Sequence, residues 1–144
     1  MREDKLAPKP ANLTFEEAAV VAISGSTALQ GLRDHGRVEP GQNVLIIGAS
    51  GGVGTFAVQI AKAFGAHVTG VCSTTKVDLA RSIGADHVID YMREDFAEEE
   101  QRYGLILDIG GNSSLRLRHA LAPRGSSSCP EEKAVVGSDL WVVI

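Results

Sequence analysis

Seven residues, Gly48-Ala49-Ser50-Gly51-Gly52-Val53-Gly54, stand between an apolar run, Val44-Leu45-Ile46-Ile47, and a stretch in which Val53, Phe56, Ala57, Ile60, Ala61 and Phe64 recur at helical spacing. A strand, a glycine-rich turn and a helix in that order leave the unpaired N–H groups of the helix start facing outward, where they attract an anion. Gly51 allows a close backbone approach to phosphate, and Gly54 allows the helix to pack closely on the strand. The implied chemistry is the holding of a dinucleotide pyrophosphate. Ala49 stands where the usual first glycine of such a turn would be.

Other readings of this turn differ in what they require nearby. A magnesium-nucleotide P-loop needs Gly-Lys-Ser/Thr after the glycines, and none follows. A tight turn without a ligand remains a structural alternative. Gly48, Gly52 and Gly54 also match the turn of short-chain dehydrogenases, but that family carries a Tyr-x-x-x-Lys pair that neither Tyr91 nor Tyr103 supplies. In an NAD site an acidic residue about 20 positions beyond the glycines accepts the ribose 2′-hydroxyl. Between Glu39 and Asp78 there is no Asp or Glu, and Ser73-Thr74-Thr75-Lys76 occupies that place instead. Hydroxyls and a cation suit a 2′-phosphate, so the sequence predicts NADPH as cofactor. The alternative for the same residues is a helix cap and a solvated lysine, and Lys76 could serve both purposes.

The elements that position these residues are legible from pattern. Thr14-Phe15-Glu16-Glu17 supplies a capping box ahead of a helix starting near Phe15. A second helical segment carries Ala28, Leu29 and Leu32 and ends at Gly36, and Glu39-Pro40-Gly41-Gln42 reads as a turn. Strands are expected at residues 44–47, 67–72, 87–90 and 105–108. Between them come the helix that ends at Gly65, a helix capped by Thr75 with Asp78 and stopped at Gly84, and an acidic helical segment at 94–101. A further helix is expected at 114–121, before Pro123. Alternation of this kind implies an α/β fold, a Rossmann-type parallel sheet with helices on both faces.

Composition narrows the function classes. With 144 residues, 44% hydrophobic and 22% charged, the chain has the make-up of one ordinary globular domain. A formal charge of −4 with scattered Lys and Arg gives no basic stripe, so no nucleic-acid partner is expected. Four histidines and two distant cysteines, Cys72 and Cys129, offer no metal-ligand spacing and no disulfide framework. With no signal-like N-terminus and no apolar run of spanning length, a cytoplasmic setting without membrane contact is expected.

In this setting the sequence resembles the zinc-free quinone oxidoreductase branch of the medium-chain dehydrogenase/reductase family, the zeta-crystallin-like branch. The resemblance runs in order through Leu6-Ala7-Pro8-Lys9-Pro10, Gly25-Ser26-Thr27-Ala28-Leu29, the glycine turn, and Ile83-Gly84-Ala85-Asp86-His87-Val88-Ile89-Asp90-Tyr91, and covers roughly residues 5–125. It implies that Ala49, Ser50, Gly51, Gly52, Val53 and Gly54 hold the pyrophosphate. Ser73, Thr74 and Lys76 would hold the 2′-phosphate, and Tyr91 would lie near the adenosine. Ile109 and Gly110 would approach the ribose, and Thr27 would come close to the nicotinamide unless it is simply a helix N-terminal threonine. The implied reaction is hydride transfer from NADPH to a quinone, enone or related carbonyl, with no side chain assigned as catalytic acid or base and no metal.

That resemblance also sets expectations for the ends. Residues 1–42 read as a linker and helices leading from an absent GroES-like domain, 43–125 as an incomplete Rossmann domain, and 126–144 as a divergent tail. From Ser126 the family's fifth strand is replaced by Ser-Ser-Ser-Cys-Pro, whereas permitted codons read in another frame spell Leu-Leu-Val-Leu-Ser-Gly-Gly; a frameshift near Gly125 is the expectation. A sheet truncated after about four strands leaves an open edge, which Val135-Val136 or Trp141-Val142-Val143-Ile144 would either cover or make more adhesive. The chain is then an oxidoreductase fragment by descent, a non-catalytic nucleotide-binding module, or an inactive gene product.

Overall fold

The computed structural model describes residues 2–109, Ala120 and Val135–Val136. Apart from Ala120, the expected helix at 114–121 lies outside the described residues, as does most of the tail. The chain enters through a helical run opened by the expected capping box: the Glu17 amide donates to Thr14 Oγ1 at 3.1 Å and the Thr14 amide donates to Glu17 Oε2 at 2.9 Å. Helix α1 (Phe15–Val20) passes into a π-helical turn (Val21–Gly25), helix α2 (Ser26–Leu29) and a second π-helical turn (Gln30–His35). The two helices expected here are therefore one continuous run. Gly25 keeps right-handed helical angles, φ −67° and ψ −43°. It is buried, and a Cβ on it would lie 3.2 Å from Val21 and 3.7 Å from Phe56. Close packing on the neighbouring helix thus overrides glycine's weak helix propensity.

After a turn at Gly41 (φ +76°) the chain alternates strand and helix: β1 (Asn43–Ile47), α3 (Gly52–Ala63), β2 (His67–Cys72), α4 (Val77–Ser82), β3 (His87–Asp90) and β4 (Leu105–Asp108). Left-handed glycines stop both helices, Gly65 at φ +81° and Gly84 at φ +111°. Every strand pairing is parallel, in the order β3-β2-β1-β4 followed by β5 (Val135–Val136). Strand β5 is the two-residue segment Val135–Val136, set beside Ile106 and Leu107 of β4. The fold is the expected Rossmann-type sheet, and the β4 edge is covered at these two positions.

Because side chains alternate along a strand, β1 feeds both faces. Val44 and Ile46 join the layer beneath the helices with Leu32, Ala57, Val58 and Ala61. Leu45 and Ile47 join Val71, Ile89, Phe96, Tyr103 and Ile106 on the other side. Two local expectations fail. The α4 approach is a 3-10 turn, Thr74–Lys76, entered from extended Ser73 with no side-chain cap, so Thr75 is not the cap. The acidic segment at 94–101 contains turns and no helix. Asp95 Oδ1 accepts from the Ala97 amide at 3.0 Å, closing a local turn in place of a helical bond, and the like charges of Glu94, Asp95, Glu98 and Glu99 disfavour helical spacing.

Asp86 ties helix to sheet at the opposite edge from the glycine turn. Its carboxylate accepts from Lys62 Nζ of α3 at 2.9 Å and from the Val68 amide of β2 at 2.7 Å. Burial works to raise the Asp86 pKa, but the Lys62 ammonium and the Val68 amide together outweigh it and hold the carboxyl below its ordinary value. A depressed folded pKa contributes stability that is complete above the unfolded value, ~3.9, and lost as the pH falls through the folded one. Asp86→Asn should therefore cost about 1 kcal/mol in urea unfolding at pH 7 and less at pH 3, below the ordinary carboxylate value. An equal deficit at both pH values would contradict this.

Candidate dinucleotide site

Parallel strands bring all their C-terminal ends to one edge, so the residues following β1, β2, β3 and β4 converge there. These are Gly48–Gly54, Ser73–Lys76, Tyr91–Arg93 and Ile109. The glycine turn sits at the switch point, where the strand order reverses between β1 and β4.

The turn is shaped by its own hydrogen bonds. The amides of Gly48 and Ala49 both donate to the Val71 carbonyl of β2, each at 3.0 Å, and the Gly51 amide donates to the Gly48 carbonyl at 3.1 Å. The first bond of α3 runs from the Thr55 amide to the Gly51 carbonyl at 2.9 Å. The amides of Gly52, Val53 and Gly54 therefore open the helix with no intrahelical acceptor, and Gly51 gives no side-chain cap. Within the segment Ala49–Gly54, the amides of Ala49 and Gly51 are used inside the turn, so they are not among the donors offered outward.

The glycines differ in what they do. A Cβ on Gly54 would stand 2.0 Å from the Gly48 carbonyl oxygen, so close packing of α3 on the turn demands glycine there. At Gly51 the nearest atom would be 3.4 Å away, an ordinary contact, and the residue is exposed. Packing does not require glycine at 51; open access in front of the α3 amides does. Ala49, fully buried, is accommodated from across the sheet: a Cβ on Gly70 of β2 would lie 2.9 Å from the Ala49 methyl. Ser50 is part-exposed on the turn, and Val53 packs on the core. Ser24, from the π-helical turn, holds its Oγ 3.3 Å from the point where a Gly52 Cβ would be.

Beyond β2, Ser73 Oγ lies 3.4 Å from Thr75 Oγ1, and Lys76 is exposed. Thr74 is otherwise engaged, its hydroxyl donating to Asp90 Oδ2 at 2.5 Å. Its hydroxyl proton therefore faces a carboxylate in this structure. Tyr91, 58% exposed, follows Asp90, and its amide donates to the Cys72 carbonyl at 3.1 Å. Burial, with the Asp90 charge in second place, pushes the Cys72 thiol up. Ile109 is part-buried at the end of β4, its amide bonded to the Ile47 carbonyl at 3.1 Å. Gly110 lies outside the described residues. Thr27 is buried, 8% exposed, in the middle of the helical run and not at a helix N-terminus. Sequence reasoning missed Asp90 and Arg93, which stand sixteen and nineteen positions after Thr74. Parallel register, which sets Cys72 opposite Asp90, is what joins them to it.

The sequence pattern of a family described as zinc-binding dehydrogenase matches residues 52–123, half of the chain, beginning at the first residue of α3. The chain belongs to the medium-chain dehydrogenase/reductase family. Among its relatives, the mitochondrial NAD(P)H oxidoreductase RTN4IP1 of Mus musculus is 41% identical over 118 residues, which cover 77% of this chain and 30% of the relative. A 2-methylene-furan-3-one reductase of Solanum lycopersicum is 41% identical over 112 residues, covering 76% of this chain and 29% of the relative. The quinone oxidoreductase of Coxiella burnetii superposes with a TM-score of 0.69 at 34% identity, over 74% of this chain and 33% of that one. This medium-chain dehydrogenase/reductase chain thus spans about a third of the length of the relatives it matches. Among the described residues no group of three or more His, Cys, Asp or Glu side chains is placed to hold a metal ion.

The Ala49–Gly70 contact yields a test of how the turn is built. Gly70→Ala should destabilise by about 1–3 kcal/mol through overpacking. Adding Ala49→Gly should recover most of that loss in denaturant unfolding. Strictly additive losses in the double variant would show that the two positions do not meet.

Proposed function

We propose that this chain binds a nicotinamide dinucleotide, NADPH in preference to NADH, as part of an oxidoreductase that passes hydride to a quinone, enone or related carbonyl. The observation that carries the reading is the uncapped start of α3. Three unsatisfied amides, at Gly52, Val53 and Gly54, stand behind an exposed glycine surface at the switch point of a parallel sheet. These features fit a pyrophosphate. Ser73 and Lys76 at the end of β2, with no carboxylate on that strand or its following turn, support the 2′-phosphate preference. The printed functions of the relatives, an NAD(P)H oxidoreductase, a furanone reductase and a quinone oxidoreductase, support the reaction class.

The nicotinamide group supplies the hydride when bound. The chain's own part is to fix and shield it: the α3 amides hold the pyrophosphate, Ser73 and Lys76 hold the far phosphate, and Tyr91 offers an exposed ring beside the adenosine. Orientation and exclusion of water are the protein's contribution to such a transfer. No side chain is assigned to proton transfer, and a reaction without zinc is part of the proposal.

A titration of the purified chain followed by nicotinamide fluorescence tests this. Saturable binding is expected, tighter for NADPH than for NADH, with Lys76→Ala weakening NADPH about tenfold and leaving NADH nearly unchanged. Absence of binding to either nucleotide would refute the reading. Binding without reduction of any quinone or enone acceptor would leave a nucleotide-binding module and remove the catalytic part.

A further inference from the structure

The end of β3 brings a carboxylate to the place where the 2′ group of the proposed cofactor would be read. Asp90 is 8% exposed and is held from two sides, accepting from Thr74 Oγ1 at 2.5 Å and from the Met92 amide at 3.0 Å. A fixed carboxylate beside the turn after β2 would accept a ribose hydroxyl and repel a phosphate. It opposes the preference that Ser73 and Lys76 favour. Arg93 resolves the conflict, since its Nε lies 3.7 Å from Asp90 Oδ2 and its side chain is 74% exposed, against 11% for Asp90. The carboxylate is the anchored half of this pair and the guanidinium the movable half. A loose, exposed pair of this kind contributes little to stability, so the arginine is free to turn toward another anion.

We propose that Arg93 is a specificity-determining residue: its guanidinium neutralises Asp90 and engages the 2′-phosphate of the bound nucleotide, while Asp90 positions both Arg93 and the Thr74 turn. This rests on the nucleotide reading above and adds to it the group that decides between the two cofactors. A guanidinium suits the task because its planar fork donates two parallel hydrogen bonds to phosphate oxygens. Thr74 then serves as a strut holding the turn to β3, and Ser73, Lys76 and Arg93 are the groups that face the phosphate. Removing Arg93 does more than delete a ligand. It leaves the Asp90 charge uncompensated beside the phosphate.

The test uses the full chain with two adenine nucleotides, 2′,5′-ADP and 5′-ADP, by calorimetric titration. Wild type should prefer 2′,5′-ADP. Arg93→Ala should lose about tenfold or more in affinity for 2′,5′-ADP and remain within about twofold for 5′-ADP. Arg93→Lys should restore part of the loss, and adding Asp90→Asn to Arg93→Ala should also restore part, because the unneutralised carboxylate is gone. An unchanged ratio of the two affinities in Arg93→Ala, or an equal loss for both ligands, overturns the assignment while the nucleotide site stands. Failure of wild type to bind either ligand removes the nucleotide reading itself, and this assignment with it. Coincident thermal unfolding of the variants and wild type verifies that the fold is intact.

Discussion

The Val71 carbonyl accepts two consecutive amides, those of Gly48 and Ala49, each at 3.0 Å, and so ties the turn that follows β1 to the C-terminal end of the neighbouring strand. With the turn held there, α3 has one way to start. Its first turn of backbone must pass the Gly48 carbonyl so closely that position 54 admits no Cβ. The same tether buries Ala49 against Gly70 and turns the amides of Gly52, Val53 and Gly54 away from any internal acceptor. A buried backbone donor without a partner is costly. At the outer edge of a sheet, however, water or an anion can satisfy it. The geometry that packs the helix is thus the geometry that makes an anion site, and structure and binding share one cause.

The second half of the site depends on a different linkage. Parallel register sets Cys72 beside Asp90, so the turns after β2 and β3 lie next to each other. The hydrogen bond from Thr74 to Asp90 joins them. Asp90 and Arg93 are therefore brought beside the turn that carries Lys76. The balance of these charges is a property of tertiary pairing and of no single segment.

This division explains what the sequence made legible. Strands β1 to β4, α3 and the glycine stops at 65 and 84 follow from local pattern, because apolar periodicity and left-handed glycine act over a few residues. The join between α1 and α2 was hidden, since what holds Gly25 in the helix is its packing against Phe56 of α3, a contact between distant residues. The segment at 94–101 misled for the opposite reason: its residue types favour helix singly, but Asp95 closes a turn on Ala97. In the site, the glycine turn was visible from spacing alone. The internal use of the Ala49 amide and the capture of Thr74 by Asp90 were not, because each needs a strand partner more than a dozen residues away. The pairing of Val135–Val136 with β4 is likewise a long-range event, one that a two-residue apolar run announces only weakly.

Amide chemical shifts of the isotopically labelled chain, followed as 5′-ADP is added, address the central claim that the start of α3 is the phosphate site. The largest changes should fall on the amides of Gly52, Val53 and Gly54, with smaller ones at Ser73–Lys76 and Tyr91 and almost none at Lys62 or Asp86 on the opposite edge. Saturating changes centred away from residues 50–54, or none at nucleotide concentrations in the millimolar range, would contradict the account.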